Sequence, residues 1–161
     1  MQTARGMPRP NLLKEHPLAQ YDTFAQWFKR LLHPARDSLS AISIESFGWI
    51  LLIEGMTIFI APRGVAALLE LPDFSPTTAV YFRLVGLLIA GLGALYTVSG
   101  RVNAQGLVYA SLFDRPIVPI VMAVLWWNNL IPAILAIVFS AQDFGSVVWT
   151  AWAWRTERKP R

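Results

Sequence analysis

The chain has 161 residues, 55% of them apolar and 15% charged, where a soluble domain carries about 25% charged residues. It has no cysteine, and its two histidines, His16 and His33, both lie in the N-terminal segment. Disulfides, thiolate metal sites, cysteine nucleophiles and an intramembrane histidine cage are therefore excluded. The net charge of +4 sits beside long apolar runs, which favours a membrane and its anionic lipid head groups over nucleic acid.

Residues 1–20 are polar, contain Pro8, Pro10 and Pro17, and show no apolar period, so they read as a mobile tail. Over residues 21–33 the apolar Tyr21, Phe24, Trp27, Phe28, Leu31 and Leu32 recur at helical spacing, with Gln26, Lys29 and Arg30 on other faces. Thr23 and Gln26 have the spacing of a capping box. This predicts an amphipathic helix in the membrane interface or packed on a partner, ended by Pro34.

Four spans are predicted over about 41–61, 79–98, 117–139 and 144–158. The third is the longest apolar run. The fourth is short and crosses only if Arg155 and Arg158 snorkel. Lys and Arg number six before the first span, one after it (Arg63), two after the second (Arg101, Arg115), none between the third and fourth, and four after that. This alternation predicts four crossings with both termini cytoplasmic. Trp149, Trp152 and Trp154 then form an aromatic anchor at the inner interface. The expected fold is an all-α, polytopic membrane four-helix bundle with an N-terminal amphipathic interfacial helix.

Several residues are candidates for more than packing. Gly86, Ala90 and Ala94 recur at four-residue spacing, which allows close helix packing within the bundle or a homodimer face. Glu54 and Arg83 are ionisable groups inside spans, where such groups are expensive and face the interior or a partner. In an antiparallel hairpin their depths differ by about 4–5 Å at 1.5 Å per residue, so a Glu54–Arg83 pair is expected. It would be a register-fixing ion pair or a proton- or substrate-handling carboxylate. Asn128 and Asn129 fall in the middle of the third predicted span with Pro132 behind them. There they would line a kinked cavity or bond a neighbouring helix. Asp114-Arg115-Pro116 reads as a helix start. No Walker loop, HExxH, GxSxG or dinucleotide fingerprint occurs, and no catalytic residue is assigned.

One resemblance brings these features together. Ala61-Pro62-Arg63-Gly64 and Leu68-Leu69-Glu70-Leu71-Pro72 follow the first span. Ser75-Pro76-Thr77 precedes Arg83-Leu84-Val85-Gly86 and Gly91-Leu92-Gly93, and Asp114-Arg115-Pro116 comes before the third span. Over residues 45–155 this resembles the small four-helix membrane proteins called DoxX-like and the BphX-like proteins. The resemblance implies an accessory, non-catalytic subunit of a redox or hydrocarbon-oxidising system in the bacterial inner membrane. The alternative is a carrier for a hydrophobic small molecule such as a quinone or aromatic compound. No cofactor or metal is expected, a quinone or lipid being the ligand class that suits such a bundle. The expected partners are membrane lipid, other membrane subunits or a second copy of the chain.

Overall fold

The computed structural model describes residues 23–34, 38–72 and 74–157, so the predicted mobile tail and residue 158 lie outside the described residues. The described chain is helical: α1 (Phe24–Leu32), α2 (Leu39–Ile60), α3 (Pro62–Leu68), α4 (Pro76–Arg101), α5 (Gln105–Asp114), α6 (Ile117–Trp127) and α7 (Ala133–Glu157). Four segments are long and apolar enough to cross a membrane: Leu39–Ile60, Pro76–Arg101, Gln105–Trp127 and Ala133–Glu157. The protein is a multi-pass, all-α integral membrane protein. Its many outward-facing Leu, Ile, Val and Trp side chains suit lipid rather than water.

The core of the bundle is the α2–α4 pair, by far its most extensive helix contact. Gly86, Ala90, Gly93, Thr97 and Gly100 form one buried stripe of α4. The glycines of α2 answer it. A Cβ on Gly55 would overlap the backbone of Gly86 and Ala90, one on Gly93 the backbone of Leu52, and one on Gly48 the backbone and hydroxyl of Thr97. The backbones therefore touch, which packs helices where no hydrophobic effect drives association. Gly86 and Ala90 are in this stripe as predicted, but Ala94 is exposed. Gly93 takes its place, because four-residue spacing drifts around a 3.6-residue helix and the contact recovers by one three-residue step.

Three helices end in the same way. Glu70, Asn103 and Asn129 have φ of 55°, 53° and 56°. Behind each, paired bonds close the last turn: Leu71 to Ala66 O and Glu70 to Ala67 O, Ala104 to Ser99 O and Asn103 to Gly100 O, Leu130 to Leu125 O and Asn129 to Trp126 O. This is the Schellman arrangement, in which a left-handed residue lets two free carbonyls be satisfied. It corrects the third and fourth spans. Asn128 and Asn129 are not at mid-membrane in a kinked helix; they cap α6. Pro132 opens the next helix, with Ala136 N–H donating to its carbonyl. The third crossing is thus Gln105–Trp127 and the fourth Ala133–Glu157. At 25 residues the fourth helix is long and apolar enough to cross, with Arg155 in its last turn.

Moving the turn also moves Asp114-Arg115-Pro116 from a helix start to the middle of a crossing. Pro116 and Pro119 each lack the N–H that would continue the helix, and α5 passes into α6 through a tight bend where Val118 N–H donates to Arg115 O.

The amphipathic helix forms, with Thr23 N–H donating to Gln26 Oε1 at 3.0 Å. None of its residues is buried. It is held to the bundle by Arg101, which donates to Leu31 O at 3.2 Å and to Glu45 Oε1 at 2.9 Å. Arg101 also lies 5.8 Å from the Trp49 ring centroid.

Candidate intramembrane site

Arg115 is the largest fully buried side chain of the bundle, at 2% exposure. Its Cζ lies 3.7 Å from the ring centroid of Phe47 and 4.8 Å from that of Tyr96. Those rings meet edge to face at 5.5 Å and 71°. They belong to the core cluster of Ile44, Phe47, Leu51, Tyr96 and Val108, so the packed α2–α4 pair presents a rigid aromatic clamp to the guanidinium. Phe47 arrives from α2, Tyr96 from α4, Arg115 from the α5–α6 bend and Asp143 from α7.

Nε, Nη1 and Nη2 of Arg115 are all buried and make no well-formed hydrogen bond among the described residues, although the Tyr96 hydroxyl stands close enough to support the charge. Asp143, 9% exposed, and Asp114 supply opposing charge from nearby. Placing an arginine at the centre of a membrane helix costs about 3 kcal/mol on insertion scales. A desolvated ring face returns about 2 kcal/mol, and the carboxylate adds Coulombic attraction. The charge is thereby supported. The five N–H donors of the guanidinium are not, and each buried donor without an acceptor costs about 1–3 kcal/mol.

Arg115 and Asp143 each lie ten residues from the start of their crossing, about 15 Å along a helix, which puts both near the middle of the bundle. Glu54 lies towards the α3 end and accepts from Gln142 Nε2 at 2.9 Å. Asp143 is the neighbour of Gln142 in sequence and feels both Arg115 and Glu54. The polar centre is therefore Arg115, Asp143, Glu54, Gln142 and Tyr96.

The expected Glu54–Arg83 pair does not form. Arg83 is exposed, and its Nε donates to the carbonyl of Phe59 at 3.3 Å. The depth argument was sound, but depth ignores helix azimuth: Glu54 faces α7 and Arg83 faces outward. Asn128 is exposed too, its amide donating to Val124 O at 2.7 Å, and it takes no part in the centre. Of the predicted polar residues, Glu54 alone belongs to it.

Arg115 and Asp143 were missed because the third and fourth spans were misplaced. The signal was present: Asn-Asn followed three residues later by Pro is a helix stop and start. Of the predicted tryptophan anchors, Trp149 and Trp152 face outward. Trp154 instead packs against the core cluster and meets Tyr109 edge to face at 6.0 Å.

No family model, curated protein or solved structure matches the chain. The DoxX-like resemblance rests on the residues quoted for it.

Proposed function

We propose that this is a bacterial inner-membrane protein, both termini cytoplasmic, whose bundle binds and carries a hydrophobic small molecule with a polar acceptor group, such as a quinone or aromatic compound. The observation that carries the reading is Arg115, clamped by two aromatic rings, with three buried nitrogens lacking an acceptor. A carbonyl or carboxylate oxygen would satisfy those donors, and a flat apolar body suits the surrounding rings and the bilayer through which it would enter. The orientation follows from the basic residues. Six precede α2 in the sequence, Arg101 closes α4 and four lie from Arg155 onward, while the segments between α2 and α4 and between α6 and α7 contain Arg63 alone.

The test is titration of decyl-ubiquinone into the purified protein in nanodiscs, read by tryptophan and tyrosine fluorescence. Saturable quenching is expected, with affinity at least tenfold weaker in Arg115→Met. The absence of saturable binding would remove the reading.

A second reading, an accessory subunit of a membrane redox or hydrocarbon-oxidising enzyme, is favoured by α1. That helix turns Phe24, Phe28 and Leu32 outward while Arg101 holds its other side. Deleting residues 1–36 would then strip partner subunits from the gently solubilised protein, and an unchanged complex would count against it.

A further inference from the structure

A cavity of about 400 Å³ opens at the end of the bundle opposite α1, where α2 ends, α3 turns and α4 begins. Ile60, Pro62 and Ala79 give it an apolar wall, and two arginines, Arg63 and Arg83, line it as well. No described carboxylate lines it.

Neither arginine is neutralised by the fold. Arg63 makes no hydrogen bond or ion pair with a described residue, and Arg83 makes one hydrogen bond, from Nε to Phe59 O at 3.3 Å. That leaves the two Nη groups of Arg83, with four of the five N–H donors of a guanidinium, and the whole fork of Arg63 without a described acceptor. Arg101 differs, since it is paired with Glu45 at 2.9 Å.

Both positions are also poor ones for a bare cation. Arg63 is the sole basic residue in the segments that join α2 to α4 and α6 to α7, against the charge bias of the rest of the chain. Arg83 lies seven residues after the start of α4, about 10 Å along the helix, on its exposed side. Its side chain turns back to a carbonyl in the last turn of α2, the way a long cationic side chain reaches the membrane interface. Two unneutralised guanidiniums at one cavity repel each other. A phosphate between them removes that repulsion and fills both forks, because its oxygens accept from a guanidinium through paired N–H···O bonds.

The helix beyond Arg83 favours a phosphate that carries acyl chains. Deeper in the crossing the exposed face of α4 continues as Leu84, Leu87 and Leu88. A Cβ on Gly91 would meet nothing within 4 Å. A lipid with its phosphate at the arginines would therefore find open apolar surface for its chains along the same helix.

We infer that the cavity beside α3 is a phosphate site that holds the head group of an anionic phospholipid, with Arg63 and Arg83 as its ligating residues. Free phosphate shares the recognised chemistry and is the other source of the ligand. The site is separate from the Arg115 centre, and neither reading rests on the other.

The experiment places the full chain in phosphatidylcholine nanodiscs containing a trace of phosphatidylglycerol or of phosphatidylcholine with a diazirine on one acyl chain. After irradiation and digestion, label on residues 76–91 is quantified by mass spectrometry. Wild type should favour the phosphatidylglycerol probe there by about tenfold, the scale that two basic side chains at a membrane surface supply. The double variant Arg63→Gln/Arg83→Gln should be labelled equally by both probes. Arg63→Gln alone breaks no hydrogen bond of the fold and should lower the preference about threefold, so it gives the answer if the double variant does not assemble. Lys29→Gln, at the other end of the bundle, should match wild type. Equal labelling of wild type by both probes overturns the inference, as does a wild-type preference in Arg63→Gln or in the double variant. Inorganic phosphate, set against chloride at equal ionic strength, separates the sources: loss of the preference shows a site that takes free phosphate, and its persistence shows a site that takes lipid.

Discussion

The two halves of the bundle solve opposite problems. The α2–α4 half is dry and close-packed, with glycine set against backbone and no room for a methyl group at Gly48, Gly55 or Gly93. The half built from α5, α6 and α7 is looser: α6 buries no residue, and beside the small apolar Val108, Ala136 and Ala153 it buries Arg115, Asp143 and Thr150. The first half is a scaffold that needs no ligand to be complete. The second brings a charged group to the scaffold and leaves it short of acceptors. A buried polar centre belongs beside a rigid element, because its geometry is then held by packing rather than by the polar contacts themselves.

The sharpest way to break the comparison is to enlarge a glycine. Gly93→Leu forces the α2 backbone away, and the protein should no longer elute as one species on size-exclusion chromatography. Gly55→Ala, the milder version, should cost about 2 kcal/mol, within the usual range for overpacking, read by denaturant titration in detergent. If both tolerate alanine and leucine alike, the dry half is not the scaffold.

In the polar half, Arg115→Met should destabilise by about 3 kcal/mol, because it leaves a buried carboxylate without its counter-charge. Asp143→Asn should cost a similar amount. The double variant should recover most of the loss, and additive losses would show that the two side chains do not act as a unit.

Much of the fold is legible in the residues, because the apolar runs exceed what a soluble core requires and the basic residues alternate between loops. The capping box of α1 and the small-residue stripe at Gly86 and Ala90 are legible for the same reason: both are local. The site is less so. Glu54 stands out as a carboxylate inside an apolar run. Arg115 and Asp143 read as loop residues when Asn128-Asn129-Pro132 is an interruption within one span rather than the boundary between two. Hydropathy alone does not separate these, since Ile117–Phe139 is apolar on both sides of the turn. Only the left-handed preference of asparagine does. Asn129→Val should therefore cost about 1 kcal/mol, the usual penalty for a side chain branched at Cβ in that conformation, while Asn129→Gly should leave thermal stability unchanged or raise it.

The smallest effect expected is at the rim. Glu45→Gln removes the partner of Arg101, and an ion pair that partly faces solvent contributes under about 1 kcal/mol. Global stability should barely move. Limited proteolysis near His33 should nonetheless accelerate as Arg101, which also holds Leu31 O, loses its anchor on α2, and an unchanged cleavage rate would show that Glu45 does not help to hold α1.

The bond between Ser40 and Glu157 joins the first crossing to the final turn of the last, and this sets an order on synthesis. As the chain leaves the ribosome, the α2–α4 hairpin can insert and close early, with Phe47 and Tyr96 already in place. Arg115 leaves the ribosome ahead of Asp143, and the ring clamp and Asp114 are its support in that interval. The Ser40–Glu157 bond closes only when the end of α7 emerges, so a chain truncated before residue 143 would be a cationic, incomplete bundle, the kind of species that membrane quality control removes.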